Sequence, residues 1–319
     1  MIYLYKKLYF MINLKMNKVE NTKIPISVNY HFTRKCNLKC GFCFHTSKTS
    51  YILSPEEAKR GLKLLKNAGM KKINFAGGEP FLYKPFLGEL IKYCKEDLKI
   101  EKLSIITNGT LVTENFLKTY HKFIDVLGVS CDSFNEETNK KIGRGTGKNV
   151  EKLFEISRLC EKYNIKFKLN SVICSLNFQE DMNENIIKLN PFRWKCFQVL
   201  LVEGENEDEK RLRDVRKFQI SNEDFELFCN RHKNIKCFIP ESNNNMKSSY
   251  LILDEYMRFL DKGDGEEKAS ESILDVGVKK ALENIRWDED AFKERKGDYL
   301  FNDNNSCQDN CELIKAADF

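Results

Sequence analysis

Three cysteines, Cys36, Cys40 and Cys43, follow one another at spacings of four and three in a chain of 319 residues. From a single loop, three thiolates at those offsets reach one small polynuclear centre. A cubic iron–sulfur cluster has four irons, so three protein thiolates leave one iron open to an outside ligand. An electron-transfer site would close that iron with a fourth cysteine. The competing reading is zinc, which asks for a second ligand pair further along the chain. His45, two residues past Cys43, supplies only one ligand. The spacing therefore favours a [4Fe–4S] cluster with an exchangeable corner.

The C-x3-C-x2-C run, with Phe42 beside its last cysteine, resembles the signature of radical S-adenosylmethionine (SAM) enzymes. That resemblance implies SAM as the ligand of the open iron. Downstream, Gly77-Gly78-Glu79-Pro80 is similar to the turn after the second strand in that superfamily, where it binds the methionine amine. Gly77 and Gly78 lack Cβ atoms and allow close backbone approach, and Glu79 offers a carboxylate to an ammonium. Asn108, ending a third strand, and Ser130, ending a fourth, join them as expected cofactor contacts, Ser130 toward the ribose. Arg144, in Ile142-Gly143-Arg144-Gly145, is either a bidentate donor to the cofactor carboxylate or a surface arginine beside a glycine turn.

The elements that must hold these residues alternate between short β-branched runs and helical segments. Residues 26–31 read as a first strand, reached through Pro25 where a missing N–H costs the ladder least. Ser54-Pro55-Glu56-Glu57 is a capping box with proline at the first helical position, opening a helix that stops at Gly69. Further strands are expected at 72–75, 103–106, 126–130, 166–172 and 196–202. Helices run through Leu87, Leu90, Ile91 and Cys94, after Thr113, and through Val150, Leu153, Phe154 and Cys160. Such alternation implies parallel strands with right-handed crossovers. About six units, short of the eight of a complete barrel, predict an α/β fold, an open partial (β/α)6 radical SAM barrel. It is expected over residues 25–240, behind a leader at 1–24. A C-terminal extension at 241–319 would cover the active site and end in a mobile tail, 302–319. The cysteine loop, the Gly-Gly-Glu-Pro turn and Thr107-Asn108-Gly109 all fall at C-terminal strand ends, where sites in such folds gather. The charged stretch 203–216 reads as a solvated face or loop, and 261–272 as a flexible insertion.

Hydrophobic residues make up 41% and charged residues 31% of the chain, enough for a substantial core under a solvated surface. The formal charge of +6 is a mild bias toward anionic partners. No basic, aromatic-bearing appendage speaks for a nucleic-acid partner. No stretch reaches the roughly 18 consecutive apolar residues of a membrane span. Met1 to Met16 is apolar and aromatic, but it is short, broken by Lys6 and Lys7, and lacks a clean polar face, which argues against membrane-surface binding. Cys94, Cys131, Cys160, Cys174, Cys196, Cys229 and Cys237 are scattered, several inside apolar runs, and no signal peptide precedes them. Free thiols in a reducing, cytoplasmic setting are the simpler account.

A closer resemblance runs from about residue 26 to 300. The run from Asn29 to Thr46 is similar to the cysteine loop of viperins, antiviral radical SAM enzymes. Matching segments continue at 73–82, Cys131-Asp132-Ser133-Phe134, 142–145, Asn170-Ser171-Val172-Ile173, Arg193-Trp194-Lys195, Glu203-Gly204-Glu205-Asn206 and 250–260. The resemblance implies a lyase that dehydrates a ribonucleoside triphosphate to its 3′-deoxy-3′,4′-didehydro form. CTP (giving ddhCTP) is favoured, and some relatives use UTP or GTP. An outside electron donor, SAM cleavage and a 5′-deoxyadenosyl radical that takes the ribose 4′ hydrogen belong to the implied chemistry; the 3′ hydroxyl leaves as water.

Within that frame Lys72, Lys168, Arg193 and Lys195 are the expected triphosphate ligands. Period-two alternation puts Arg193 and Lys195 on one face with Trp194 opposite. Like charges on one face of an apolar barrel ask for an anion, unless they sit at a wet rim. Lys168 and Asn170 share a face, as do Asn29 and His31, which either bind the nucleotide or support the cysteine loop; His31 also fits a satisfied core position. Tyr250 resembles the viperin tyrosine suggested to relay hydrogen to the sugar radical, although tyrosine at this spacing is commonly core. Ala76 stands where relatives often have serine. The long amphipathic helix of animal viperins is not found, so endoplasmic-reticulum or lipid-droplet attachment has no support. Ala317-Asp318-Phe319 resembles the C-terminal signal read by the cytosolic iron–sulfur targeting machinery, and Cys307 with Cys311 read as solvated thiols. The alternatives are a radical SAM enzyme modifying a peptide or RNA, and an interaction protein whose cluster only stiffens a surface.

Overall fold

The computed structural model describes residues 23–246, 249–261, 269–294 and 297. The leader to residue 22, the insertion at 262–268 and the tail with Cys307, Cys311, Ala317, Asp318 and Phe319 lie outside the described residues.

Period-two alternation builds the sheet. Six strands open the barrel: β1 (Ser27–His31), β2 (Lys72–Ala76), β3 (Lys102–Thr107), β4 (Val126–Ser130), β5 (Lys166–Ile173) and β6 (Arg193–Gln198). One row of their side chains, including Tyr30, Phe75, Ile105, Leu127, Leu169 and Trp194, is apolar and buried in the main core. The other row, including Asn29, Asn74, Ser104, Lys168, Asn170 and Lys195, faces a cavity. Helices α1 (Pro55–Asn67), α2 (Lys84–Lys92), α3 (Glu114–Tyr120), α4 (Glu136–Ile142), α5 (Asn149–Lys162) and α6 (Asn183–Leu189) fill the crossovers. In α1, Ser54 and Glu57 cap each other's backbone N–H groups while Ala58, Leu62 and Leu65 go into the core. Such a cap contributes about 1 kcal/mol.

The sheet runs further than the six expected units. Among the described residues it has ten strands, in the order β10-β9-β8-β1-β2-β3-β4-β5-β6-β7. After α7 (Asn222–His232), β7 (Phe238–Glu241) lies parallel to β6; as an edge strand it tolerates Pro240. β8 (Leu251–Leu253) runs parallel to β1 on its other edge, with Asn29 opposite Ile252. β9 (Arg258–Leu260) and β10 (Ala269–Ser272) follow antiparallel. Part of the C-terminal segment therefore belongs to the sheet, and residues 269–272 are a strand and not part of a flexible insertion. Their sequence, Ala-Ser-Glu-Ser, carries too little apolar signal to say so.

β6 also starts at Arg193, three residues before the expected 196–202, and the chain leaves the sheet after Gln198. Its cavity-facing Lys195 interrupts the apolar pattern from which a strand is normally read. On the outer face, Trp194 packs edge-on against His232 at 5.1 Å between ring centroids. Nine described cysteines are free thiols. Cys237 is disulfide-bonded, a departure from the all-thiol expectation. No helix among the described residues is long and apolar enough to cross a membrane.

Candidate active site

The loop carrying the cysteines leaves β1 after His31 and is gripped by the loops that follow the neighbouring strands. Beyond β2, the Gly78 N–H donates to Thr33 O at 2.7 Å and the Glu79 N–H to Lys35 O at 2.9 Å. Beyond β3, Asn108 Nδ2 donates to Asn37 Oδ1 at 2.9 Å. At the end of α4, Ile142 O and Gly143 O accept from the Gly41 and Lys39 N–H groups at 2.8 and 3.2 Å. Beyond β6, Asn206 Nδ2 donates to Phe42 O at 2.9 Å.

These contacts give the Gly-Gly-Glu-Pro turn a different reason from the one its sequence suggests. A Cβ on Gly78 would sit 2.2 Å from Lys35 O and 2.5 Å from Arg34 O, and one on Gly77 2.5 Å from Thr33 O. The glycines admit the cysteine loop itself. Both still line the cavity. Glu79 does not. It is fully buried, and its carboxylate accepts from the Phe81 N–H (2.9 Å), Thr107 Oγ1 (2.7 Å) and the Asn108 N–H (2.8 Å). Burial pushes its pKa up against those three donors. The expected acceptor for an ammonium is instead a tie between β2 and β3.

Cys36, Cys40 and Cys43 all open onto one cavity of about 350 Å3, a size common for small-molecule sites. Burial raises the pKa of Cys36 and pushes that of Cys40 up to about 12, so both are neutral thiols until a cation joins them. Among the described residues, no three His, Cys, Asp or Glu side chains converge on a single ion. Three thiols from one loop around a shared space fit a polynuclear cluster.

Around the same cavity stand Asn108, Ser130, Arg144, Asn29, His31, Lys72, Lys168, Asn170, Lys195 and Tyr250. The sequence thus brings together every expected site residue except Glu79 and Arg193. Arg193 is buried opposite Lys168 in the β5–β6 register, on the same strand face as Lys195, but does not itself line the cavity. Arg144 lies over the Phe42 ring, 5.9 Å from its centroid, and its Nε donates to Asp132 Oδ2 at 2.7 Å. Burial opposes its charge, but Asp132 outweighs that and holds its pKa above the ordinary arginine value.

The cationic wall lies nearer the N-terminal ends of the strands. Lys168 keeps some surface toward the cavity but is enclosed by protein. Its pKa falls well below 10.5, first through burial and then through Lys195, Lys72 and Arg193. Lys195 pairs with the buried Glu241 and donates to Tyr250 Oη at 2.9 Å; Tyr250 in turn donates to Glu241 Oε2 at 2.5 Å.

Several residues at the site were not singled out from the sequence. Asn74 and Ser104 are cavity-facing and follow from carrying the alternation of Lys72 along β2 and across to β3. His45, seen only as a weak zinc ligand, packs edge-on against His31 at 4.5 Å. Asp132 sits in a segment that carries the family resemblance, which implies no role for it. Glu241 had no signal, because β7 was not read as a strand. Asn206, inside a stretch expected to be solvated, is fully buried.

The sequence profile of the Radical SAM superfamily matches residues 30–189. Over 293 residues the chain is 54% identical to the S-adenosylmethionine-dependent nucleotide dehydratase RSAD2 of Siniperca chuatsi, covering 91% of this chain and 83% of that one. A bacterial S-adenosylmethionine-dependent nucleotide dehydratase, from Lacinutrix mariniflava, is 38% identical over 294 residues, 89% of this chain and 60% of that one. Among solved structures, Streptococcus suis SuiB bound to S-adenosylmethionine superposes with a TM-score of 0.65 at 15% identity, covering 91% of this chain and 72% of that one. Native anSMEcpe with bound AdoMet gives 0.62 at 16% identity, covering 85% and 82%. At those identities the two structures speak for the fold alone.

Proposed function

Because the chain belongs to the S-adenosylmethionine-dependent nucleotide dehydratases of the radical SAM superfamily, we propose that it removes water from a ribonucleoside triphosphate. CTP is the first candidate and UTP and GTP the others, and the product is the 3′-deoxy-3′,4′-didehydro nucleotide. The observation that carries this reading is a single cavity with three thiols at one end and a cluster of lysines toward the other. In the β1–β2 register Ser27 faces Lys72 and His31 faces Ala76. Four residues of strand rise place the cysteine loop about 13 Å beyond the level of Lys72. A ribose fits between a triphosphate on the lysines and a sulfonium at the rim.

Cys36, Cys40 and Cys43 would hold the [4Fe–4S] cluster, with the backbone of Gly77 and Gly78 and the side chains of Asn108, Ser130 and Arg144 around SAM. When bound and reduced by an outside donor, the two cofactors supply the one-electron chemistry that removes the ribose 4′ hydrogen. The protein's work is placement and dryness. Lys72, Lys168 and Lys195 take the phosphates, and buried Arg193, opposite Lys168 in the strand register, adds charge to the same wall. An incoming phosphate also offsets the repulsion from Lys195, Lys72 and Arg193 that adds to burial in depressing the Lys168 pKa. Asn29, His31 and Asn170 contact the sugar or base. Apolar Phe44, Ile106, Val172 and Phe197 line the remaining wall. Tyr250, its oxygen held by Lys195 and Glu241, would pass one electron to the sugar radical and its proton to the departing 3′ hydroxide, and the outside donor would then reduce the tyrosine; no hydrogen is added to the sugar. The tail Ala317-Asp318-Phe319 would serve cluster delivery by the cytosolic iron–sulfur targeting machinery; deleting Phe319 should then lower iron content in a eukaryotic cytosol.

The test is anaerobic reconstitution followed by incubation with SAM, dithionite and each of CTP, UTP and GTP. The true substrate should strongly raise 5′-deoxyadenosine release and give a product lighter by one water. Cleavage of SAM that ignores every nucleotide would return the peptide- or RNA-modifying reading. A loaded cluster with no cleavage would return the interaction protein.

A further inference from the structure

Glu205 and Asn206 have no place in the chemistry above, although the segment holding them is among those that carry the family resemblance. Arg34, two residues before Cys36, has none either. The structure joins the three. Arg34 is buried, and its Nε donates to Glu255 Oε1 at 3.0 Å, in the turn between β8 and β9. Its Nη1 donates to both oxygens of Glu205 at 3.2 Å and to Thr46 O at 3.3 Å. Lys48 Nζ lies 3.2 Å from Glu205 Oε1, so two cations meet two carboxylates and the group is neutral. The end of the cysteine loop is bound to the same knot: Thr46 Oγ1 donates to Glu205 Oε2 at 3.3 Å, Thr49 Oγ1 to Glu255 Oε1 at 3.0 Å, and Ser47 Oγ to Arg34 O at 2.9 Å.

Asn206 grips the loop's middle. Its Nδ2 donates to Phe42 O at 2.9 Å and to Leu200 O at 3.2 Å, while its Oδ1 accepts from the Val202 N–H at 2.8 Å. Further along the same segment Phe218 packs edge-on against Phe42 at 5.9 Å, filling the space a Cβ on Gly41 would need. The segment after β6 is thus a strap across the cysteine loop, and its Leu200 and Arg213 also line the cavity. A buried guanidinium that spans two carboxylates fixes orientation as well as charge, which a lysine ammonium does not.

We propose that Arg34 and Asn206 are positioning residues for cluster binding: through them the strap after β6 and the β8–β9 turn hold the three thiols in the shape that accepts iron. The inference rests on the radical SAM reading. The test compares wild-type protein with Asn206→Ala and Arg34→Lys, with Glu89→Gln at the surface Lys59–Glu89 pair as the control. Iron and sulfide per chain are measured after anaerobic reconstitution. The electron paramagnetic resonance spectrum of the reduced cluster is recorded with and without SAM, and the metal-free chains are melted. We expect both variants to melt cooperatively, to retain half or less of the wild-type iron, and to lose the SAM-induced spectral change in whatever cluster they hold; the control should match wild type. Should either fail to fold, Glu205→Gln, which keeps volume and drops the charge, takes its place under the same criteria. Wild-type iron and an unchanged SAM response in the variants would overturn the proposal alone. A wild-type chain that takes up no cluster would overturn it together with the radical SAM reading.

Discussion

Lys168 and Arg193 stand opposite each other on neighbouring parallel strands, two cations that share one wall with Lys72 and Lys195. Burial, followed by repulsion from Lys195, Lys72 and then Arg193, is what depresses Lys168. The unfolded chain holds a proton near pH 10 that the folded chain resists. The Lys168 contribution to stability therefore rises with pH toward 10.5 and is lost as pH falls toward its lower folded value. Lys168→Met should raise the melting temperature of the ligand-free protein at neutral pH by about 2 °C or more. It should also abolish most of the stabilisation by inorganic triphosphate. A variant that melts lower and still responds fully to triphosphate would sink this account of the wall.

Gly78→Ala places a methyl group against two backbone oxygens of the cysteine loop. Those oxygens cannot swing away as a flexible side chain would. The metal-free protein should fold, while iron uptake on reconstitution falls several-fold. Full iron uptake would mean that the loop yields without losing its shape.

Glu79→Ala leaves Thr107 Oγ1 and the Phe81 and Asn108 N–H groups without their acceptor. Each buried unsatisfied group costs about 1–3 kcal/mol, so a loss of roughly 3 kcal/mol or more is expected. Urea unfolding of the metal-free chain measures it. A loss below about 1 kcal/mol would show that the carboxylate is not the tie between β2 and β3.

Tyr250→Phe removes the hydroxyl but keeps the ring. Nucleotide-dependent 5′-deoxyadenosine release should persist within a few-fold, while dehydrated product falls by at least tenfold. Product formation at the wild-type rate, measured by mass spectrometry, would reduce Tyr250 to a wall residue.

His232 is buried beside Trp194, donating from Nδ1 to Phe228 O at 2.8 Å and accepting from the Met182 N–H at Nε2 at 3.0 Å. Burial lowers its pKa below 6.5. Its neutral form is built into the fold, so stability is complete above 6.5 and is lost as pH falls through the folded value. Trp194 fluorescence should report urea midpoints that drop between about pH 7.5 and 5 in wild type and less steeply in His232→Gln. Parallel slopes would place the acid-sensitive group elsewhere.

Much of the site was legible because chemistry and periodicity coincide in it. Cysteine spacing, Lys168 with Asn170, and the strand ends at Asn108 and Ser130 each carry a residue type and a position together. Glu79 was misplaced because sequence shows a carboxylate without showing which way it points, and three donors had already claimed it. For a related reason the sequence misses the second neighbour of Gly78, the cysteine loop: a missing Cβ announces close approach but not by what. The charges of the 203–216 stretch read as solvated, yet Glu205 and Asn206 are partnered by residues 171 and 164 positions away. Such pairings leave no trace in local pattern. β7 to β10 are three or four residues each, too short for alternation to register.

The placement of β8 beside β1 has a consequence for synthesis. As the nascent chain leaves the ribosome, Ser27–His31 emerges well over two hundred residues ahead of Leu251–Leu253, for which one of its two edges must wait. Until then the strand that launches the cysteine loop presents bare N–H and C=O groups to any other extended chain, and Arg34 lacks Glu255. Metal loading that depends on this knot would therefore be confined to molecules translated beyond Glu255. Ribosome-stalled chains ending before and after β8 should differ in protease resistance across residues 27–46.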